Sequence, residues 1–418
     1  MFPRLARRTR VVTISVLAVA ALGLTACTGG GTGGGGGDVN TIDDSLATSF
    51  DAAIENAMTS SGSTEAVVGI WGSDGSEYVR AYGNEELDGG SLIRAAQASQ
   101  PVMCALLLDL VGEGRIDLDR EISKDLTRQV GIDGITYRQL CDMRSGLADF
   151  KSGFQDIFVN NPTRTWPEQE LIAQGLVHSP LSWPGLDMHQ SDTNAAMLGR
   201  ALRVKTAGET AELLEEHVFN KADMGSSYFP AAENTTLPDD ALSGLTYPSS
   251  GGKPVCDAEV VDVSEVSSSM LGGAGGTVTT VTDLKKFYEN YLDGTFGGDA
   301  AQVVTETIPT KNPERDADGN PTSEPDTAGR QWTFGMEKQG PLYGRSGAIT
   351  GTLTAAYHDP ESEYTVVVAL NNSSAGAGLA KSLAFELAAI SAEAGSGPEL
   401  EWTAEDQAAQ VTKAAICQ

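Results

Sequence analysis

Apolar and polar residues along this chain fall into short, well-punctuated stretches. Residues 42–58 repeat apolar side chains at helical spacing behind Thr41 or Asp43 as a cap, which predicts a helix. Residues 66–71 and 78–82 read as two short strands joined through the Ser-Asp-Gly-Ser turn at 73–76. Residues 101–111 (PVMCALLLDLV) are apolar on nearly every face, the signature of a helix packed in the middle of a protein. From there to about residue 300 the pattern is one of helices and loops, many closed by glycine or proline. Strand patterns return at 332–338, 353–357 and 364–369, and a last helix is expected over about 376–392. Residues 311–330 read as an exposed loop, and no internal repeat is visible. Helix and strands at the front, helices in the middle, strands and a helix at the back: this order predicts one sheet built from both ends of the chain. The middle then forms a second, mostly helical lobe, and the cleft between such lobes is where a ligand is expected.

The N-terminal end follows a different logic. Arg4, Arg7, Arg8 and Arg10 precede an apolar run at 11–24 that is too short and wrongly flanked for a stable membrane span. The run closes on Leu24-Thr25-Ala26-Cys27, the pattern of a lipobox. Residues 1–26 are therefore expected to be a signal peptide, with Cys27 as the lipidated N-terminus of the mature chain. Residues 28–38 are almost pure glycine and suit a flexible tether. The expected organisation is a lipid-anchored linker over 27–42, a folded domain over 43–393 and a C-terminal tail over 394–418. Within the domain, the sheet lobe takes about 43–115 and 300–393, and the helical lobe about 116–299. The expected location is a bacterial cell envelope, held by lipid at the outer face of the cytoplasmic membrane.

Charge and cysteine content narrow the chemistry. The formal net charge is −29, and it becomes more negative once the arginines of the signal segment leave. That argues against nucleic acid, which demands basic surface. Besides Cys27 there are Cys104, Cys141, Cys256 and Cys417, an even set that favours two disulfides in an oxidising compartment, with three pairings open. No C-x-x-C spacing exists and His178, His189, His217 and His358 are scattered, so neither a metal site nor a cofactor is expected.

Several segments stand in a telling order. They are residues 110–119 (LVGEGRIDLD), 135–140 (ITYRQL) with 144–147 (RSGL), and Trp183-Pro184-Gly185 followed by Asn194 and Leu198-Gly199. Next come 273–278 (GAGGTV) with Thr282-Asp283-Leu284, then Gly344-Arg345-Ser346-Gly347 and Asp359-Pro360-Glu361. Together, over about residues 45–392, they resemble the serine β-lactamase and DD-peptidase (penicillin-binding) family, in its class C β-lactamase-like branch. The resemblance implies an α/β, β-lactamase/transpeptidase-like fold: an antiparallel sheet flanked by N- and C-terminal helices, plus a mostly helical lobe. It also sets the helix carrying Cys104 beside the segment carrying Cys141, so these two are expected to pair, with Cys256 and Cys417 as the second pair.

The family's chemistry uses S-x-x-K on a helix, where three and four residues apart share a face. The serine attacks an acyl carbon while the lysine moves its proton. Y-x-N comes from the helical lobe, and K-T-G or H-x-G from a strand that meets the substrate carboxylate. In this chain the S-x-x-K positions read Gln97, Ala98, Ser99 and Gln100, and Y-x-N reads Gln190, Ser191 and Asp192. The strand motif reads Arg345-Ser346-Gly347. A carboxamide is neither a nucleophile nor a base at neutral pH, so Gln97 and Gln100 replace neither partner. Asp192 puts an acceptor where the family has an amide donor. Arg345 keeps a function, because its guanidinium can hold a carboxylate through two parallel hydrogen bonds. Ser99 is expected to cap the helix, and backbone N–H groups near Gln97 and Ala348 to form the family's oxyanion pocket. Ser250-Gly-Gly-Lys253 also satisfies S-x-x-K, in a loop with no apolar helix after it.

The resulting expectation is a surface lipoprotein with a non-catalytic β-lactamase-like domain. Its partner would be a cell-wall (peptidoglycan) peptide end or a protein, and it would meet the membrane through its lipid. The competing expectation is an active serine hydrolase (a DD-carboxypeptidase, β-lactamase or esterase) working through residues the sequence does not identify.

Overall fold

The computed structural model describes residues 37–316, 320–324 and 329–417. The signal segment, Cys27 and most of the glycine tether lie outside them, as does part of the 311–330 loop. Among the described residues no helix is long and apolar enough to cross a membrane.

One antiparallel sheet organises the fold. Its strands are β1 (Val39–Asn40), β2 (Ala66–Trp71), β3 (Glu77–Tyr82), β4 (Ile308–Pro309), β5 (Gln331–Trp332), β6 (Glu337–Gln339), β7 (Leu342–Ile349), β8 (Thr352–Asp359) and β9 (Tyr364–Leu370). They lie in the order β1-β3-β2-β9-β8-β7-β6-β5-β4, so strands from the two ends of the chain meet at β2 and β9, with Val68 opposite Val368. Alternation along each strand sorts side chains to two faces. Ala66, Val68, Ile70, Leu353, Tyr357, Val366 and Val368 pack against α1 (Asp44–Ser61), α5 (Ala377–Ala394) and Val411 of α6 (Ala404–Lys413). Val67, Ala356, Val367, Ala369 and Ile349 face α2 (Gln100–Gly112), α4 (Val281–Leu292) and the helical lobe. Every residue of β9 is buried, as its unbroken YTVVVAL run requires of a strand covered on both sides.

Helix α1 starts where its cap was expected: the Asp43 carboxylate accepts from the N–H groups of Ser45 and Leu46 at 2.9 Å each. Helix α2 is buried from Gln100 through Leu110 and forms the hub between the sheet and α3 (Thr193–Thr206). The two disulfides are Cys104–Cys141, tying α2 to the short helix Tyr137–Cys141, and Cys256–Cys417.

The strand motif Arg345-Ser346-Gly347 falls within a full strand over 342–349 (LYGRSGAI), whose glycines answer close contacts. A Cβ on Gly344 would lie 2.1 Å from the Ala356 carbonyl oxygen. Three other details depart from the sequence reading. The expected strand at 332–338 is broken into β5 and β6 by a turn at Gly335, whose φ is +83°. The tail at 394–418 holds α6, started by a Thr403–Asp406 capping box and packed on α5. Lastly, Val39 and Asn40 at the end of the tether pair with β3 as an edge strand.

Candidate functional site

The site grows from the turn before α2. Ala96 has a left-handed backbone with φ +45°, an uncommon conformation for a residue with a Cβ. Gly275 and Gly347 allow that turn to be packed: a Cβ on Gly275 would lie 2.6 Å from the Ala96 carbonyl carbon, and one on Gly347 would lie 2.2 Å from the Gln97 nitrogen. The turn aims Gln97 at β7, and α2 places Gln100 one helical turn further on. Residue Asp192, just before α3, comes up between them from the helical lobe.

The fold therefore brings together residues that the motif positions separate in sequence. Gln97 Nε2 donates to Asp192 Oδ2 at 2.7 Å, and Gln100 Nε2 donates to Asp192 Oδ1 at 3.2 Å. Lys151 Nζ lies 2.8 Å from Asp192 Oδ2 and 3.8 Å from Asp149. Arg345 Nη2 is 4.0 Å from Asp192 Oδ1. Asp192 is only 2 % exposed. Burial works against its charge, but Lys151, Arg345 and the Gln97 hydrogen bond outweigh that and hold its carboxyl below the usual range. Burial likewise pulls the Lys151 ammonium down, and the attraction of Asp192 and Asp149 more than reverses it. Asp149 pays for the crowding: burial, then the neighbouring Asp192 charge, push it up to about 6.

Arg345 is buried on β7, with its guanidinium stacked 4.6 Å over the Trp332 ring. The Trp332 indole in turn donates to the Cys141 carbonyl at 2.8 Å, so the residue bridged to Cys104 of α2 also steadies the arginine's platform. Beyond Arg345, Glu337 takes Lys381 at 3.0 Å and Arg330 at 3.4 Å, and accepts from the Tyr357 hydroxyl. Burial opposes this carboxylate too, but Lys381 and Tyr357 keep it ionised. The two clusters line one cavity of about 420 Å³ that also touches Gln190, Ser346 and Gly347. A second cavity of about 370 Å³ continues past Lys151 and Ala348. Lys253 of the other S-x-x-K lines it, but that stretch is a hairpin, Ser249–Ser250 against Lys253–Pro254, so the two side chains do not share a helix face.

Two expectations are corrected here. Ser99 does not cap α2; its hydroxyl donates to the Ala96 carbonyl at 2.9 Å, closing the strained turn. The oxyanion pocket is not open either: the Ala348 N–H donates to Gln97 Oε1 at 2.8 Å. Sequence reasoning also missed Asp149, Lys151, Arg330, Glu337 and Lys381, none of which falls in a motif. Away from the cleft, His217 joins Asp109 at 2.7 Å, with Lys221 at 2.7 Å from the same carboxylate, a network bracing α2 from the opposite side.

The domain that carries this cleft matches a known family. A family model described as Beta-lactamase covers residues 50–389. The chain belongs to the β-lactamase family. Among relatives of this family, a D-aminopeptidase from Cereibacter sphaeroides is 24 % identical over 329 residues, which is 77 % of this chain and 59 % of that protein. The chain thus spans less than two thirds of that relative's length. A D-stereospecific amidohydrolase from Streptomyces sp. superposes with a TM-score of 0.67 at 23 % identity, covering 80 % of this chain and 95 % of that one. The D-amino acid amidase from Ochrobactrum anthropi SV3, in complex with D-phenylalanine, gives 0.64 at 20 % identity, covering 79 % and 92 %. The octameric penicillin-binding protein homologue from Pyrococcus abyssi gives 0.65 at 17 % identity, covering 84 % and 78 %. These likenesses establish the β-lactamase fold for the chain.

Proposed function

We propose that this β-lactamase family member is a surface lipoprotein that has given up hydrolysis and keeps its cleft for binding a small peptide end that carries a carboxylate. The observation that carries this reading is the state of Asp192. At the point where the family's reaction needs a nucleophile and its base, the side chains are two carboxamides, and both spend their N–H groups on one buried carboxylate. Neither can attack an acyl carbon or accept a proton at neutral pH. Lys151 is the ammonium nearest that carboxylate, and it is committed to the ion pair. The relatives named for D-amino acid substrates support a ligand from the same chemical range. In support of a carboxylate end, Arg345 lines the cavity with its nearest carboxylate 4.0 Å away, while Lys151, Arg330 and Lys381 line it already paired with Asp192 and Glu337.

Labelling with a fluorescent penicillin, beside an active relative, tests the loss of catalysis: no covalent adduct should form even over hours. Stoichiometric labelling would restore the hydrolase reading. Calorimetry with a D-Ala-D-Ala peptide tests binding. Arg345→Ala should weaken it by about ten- to a hundredfold, the worth of a charge-assisted hydrogen-bond pair. Equal affinity for wild type and variant would remove Arg345 from the ligand's path.

A further inference from the structure

The two motif carboxamides differ in one respect. Gln100 spends only its amide nitrogen, and its Oε1 is buried without a hydrogen-bond partner. Gln97 is clamped at both ends: Nε2 on Asp192 at 2.7 Å, and Oε1 receiving the Ala348 N–H at 2.8 Å. The donor at 348 is a sheet-edge donor. Strand β6 pairs with β7 only as far as Glu337 opposite Gly344, so β7 runs on past its neighbour with no strand on that side, where the Gln97 turn packs instead. Such an edge offers its N–H groups to any extended peptide that comes alongside. The space beside it exists because residue 347 is glycine; a Cβ there would sit 2.5 Å from Gln97 Oε1.

We infer that the Gln97 side chain is a resident occupant of the acyl-oxygen position on the β7 edge, an amide that stands where a ligand's carbonyl would dock. The cleft then admits ligands by their charged ends, along the Arg345–Lys381 wall, and refuses those that must seat a carbonyl oxygen on Ala348. This deepens the binding reading above and rests on it only for what enters the remaining space. The occupancy itself is testable on the free protein.

Two substitutions separate occupancy from simple packing. Gln97→Met keeps the side chain's length without its hydrogen bonds, while Gln97→Gly empties the space. The wild-type Ala348 amide should be protected from hydrogen exchange. In both variants it should exchange about tenfold faster, as expected for loss of one hydrogen bond of ordinary worth. Propionamide, which reproduces the missing group, should raise the melting temperature of Gln97→Gly and slow Ala348 exchange again. It should leave wild type and Gln97→Met unchanged. Equal Ala348 exchange in wild type and Gln97→Met would overturn the inference, as would an equal propionamide response in wild type and Gln97→Gly. If Gln97→Gly does not fold, the exchange comparison with Gln97→Met decides alone. Failure here leaves the D-Ala-D-Ala isotherm of the wild type untouched, so the two readings fail separately.

Discussion

Asp192 shows how one buried carboxylate organises its surroundings. A carboxylate buried to this depth is costly unless several donors meet it, and here two carboxamides and an ammonium do so, with a guanidinium 4.0 Å away. Lys151→Met should therefore cost about 2 kcal/mol, less than for a fully buried pair because the Lys151 side chain is 35 % exposed. The double variant Lys151→Met/Asp192→Asn should recover most of that loss, and denaturant midpoints of the four proteins give the coupling. Asp149 behaves in the opposite sense. Its folded pKa of about 6 lies above the ordinary 3.8, so the folded state takes up its proton more readily than the unfolded one. Stability consequently falls as pH rises from about 4 to 6 and stays reduced above that. Asp149→Asn, which keeps the acceptor for the Lys151 N–H, should raise the melting temperature at pH 7, and the gain should vanish by about pH 3.5. A variant no more stable at neutral pH would remove the strain assigned to that carboxylate. At this scale the sequence was partly readable. Gln97, Gln100, Asp192 and Arg345 could be located because flanking motifs hold their register. Lys151 and Glu337 could not, since each comes from a stretch with no motif and acquires its role only through the fold.

Elements built from apolar patterning were legible for the same reason that they are stable. The residues 66–71, 101–111 and 364–369 declare themselves because both sides of a sheet or all sides of a helix must be covered. Strand β7 is marked only by its Arg345-Ser346-Gly347 motif, because glycines at 344 and 347 serve close packing and weaken the strand pattern. Helix α6 carries little apolar pattern because it buries one residue, Val411, and its capping box is its clearest signal. The Cys104–Cys141 bridge joins elements 37 positions apart, beneath the carbonyl that holds Trp332 and, through it, Arg345. Replacing both cysteines by alanine should cost about 2–4 kcal/mol in global stability. It should also weaken D-Ala-D-Ala binding if the Arg345 platform loosens. Calorimetric melting and the peptide isotherm read the two effects independently, and an unchanged melting temperature would mean that the bridge does no more than fill volume.

For the whole molecule, the proposed anchor is the property furthest from the cleft. A diacylated cysteine holds a protein firmly where one chain would not. Cys27→Ala should move the protein from the membrane fraction to the soluble envelope or the medium. Persistence at the membrane after a salt wash would exclude lipid as the tether. The sheet that joins both ends of the chain has a further consequence, which concerns time. Asn371, at the end of β9, accepts hydrogen bonds from Thr64 and Glu65 across 307 and 306 positions. A chain that leaves its N-terminus first can pair β2 with β3 at once, but must hold the other edge of β2 open until nearly everything else has been delivered. Closing contacts of such separation is intrinsically slow, and the waiting edge is open to mispairing with other chains. Refolding from denaturant should accordingly be rate-limited by the union of β2 with β9, and yield should fall as protein concentration rises.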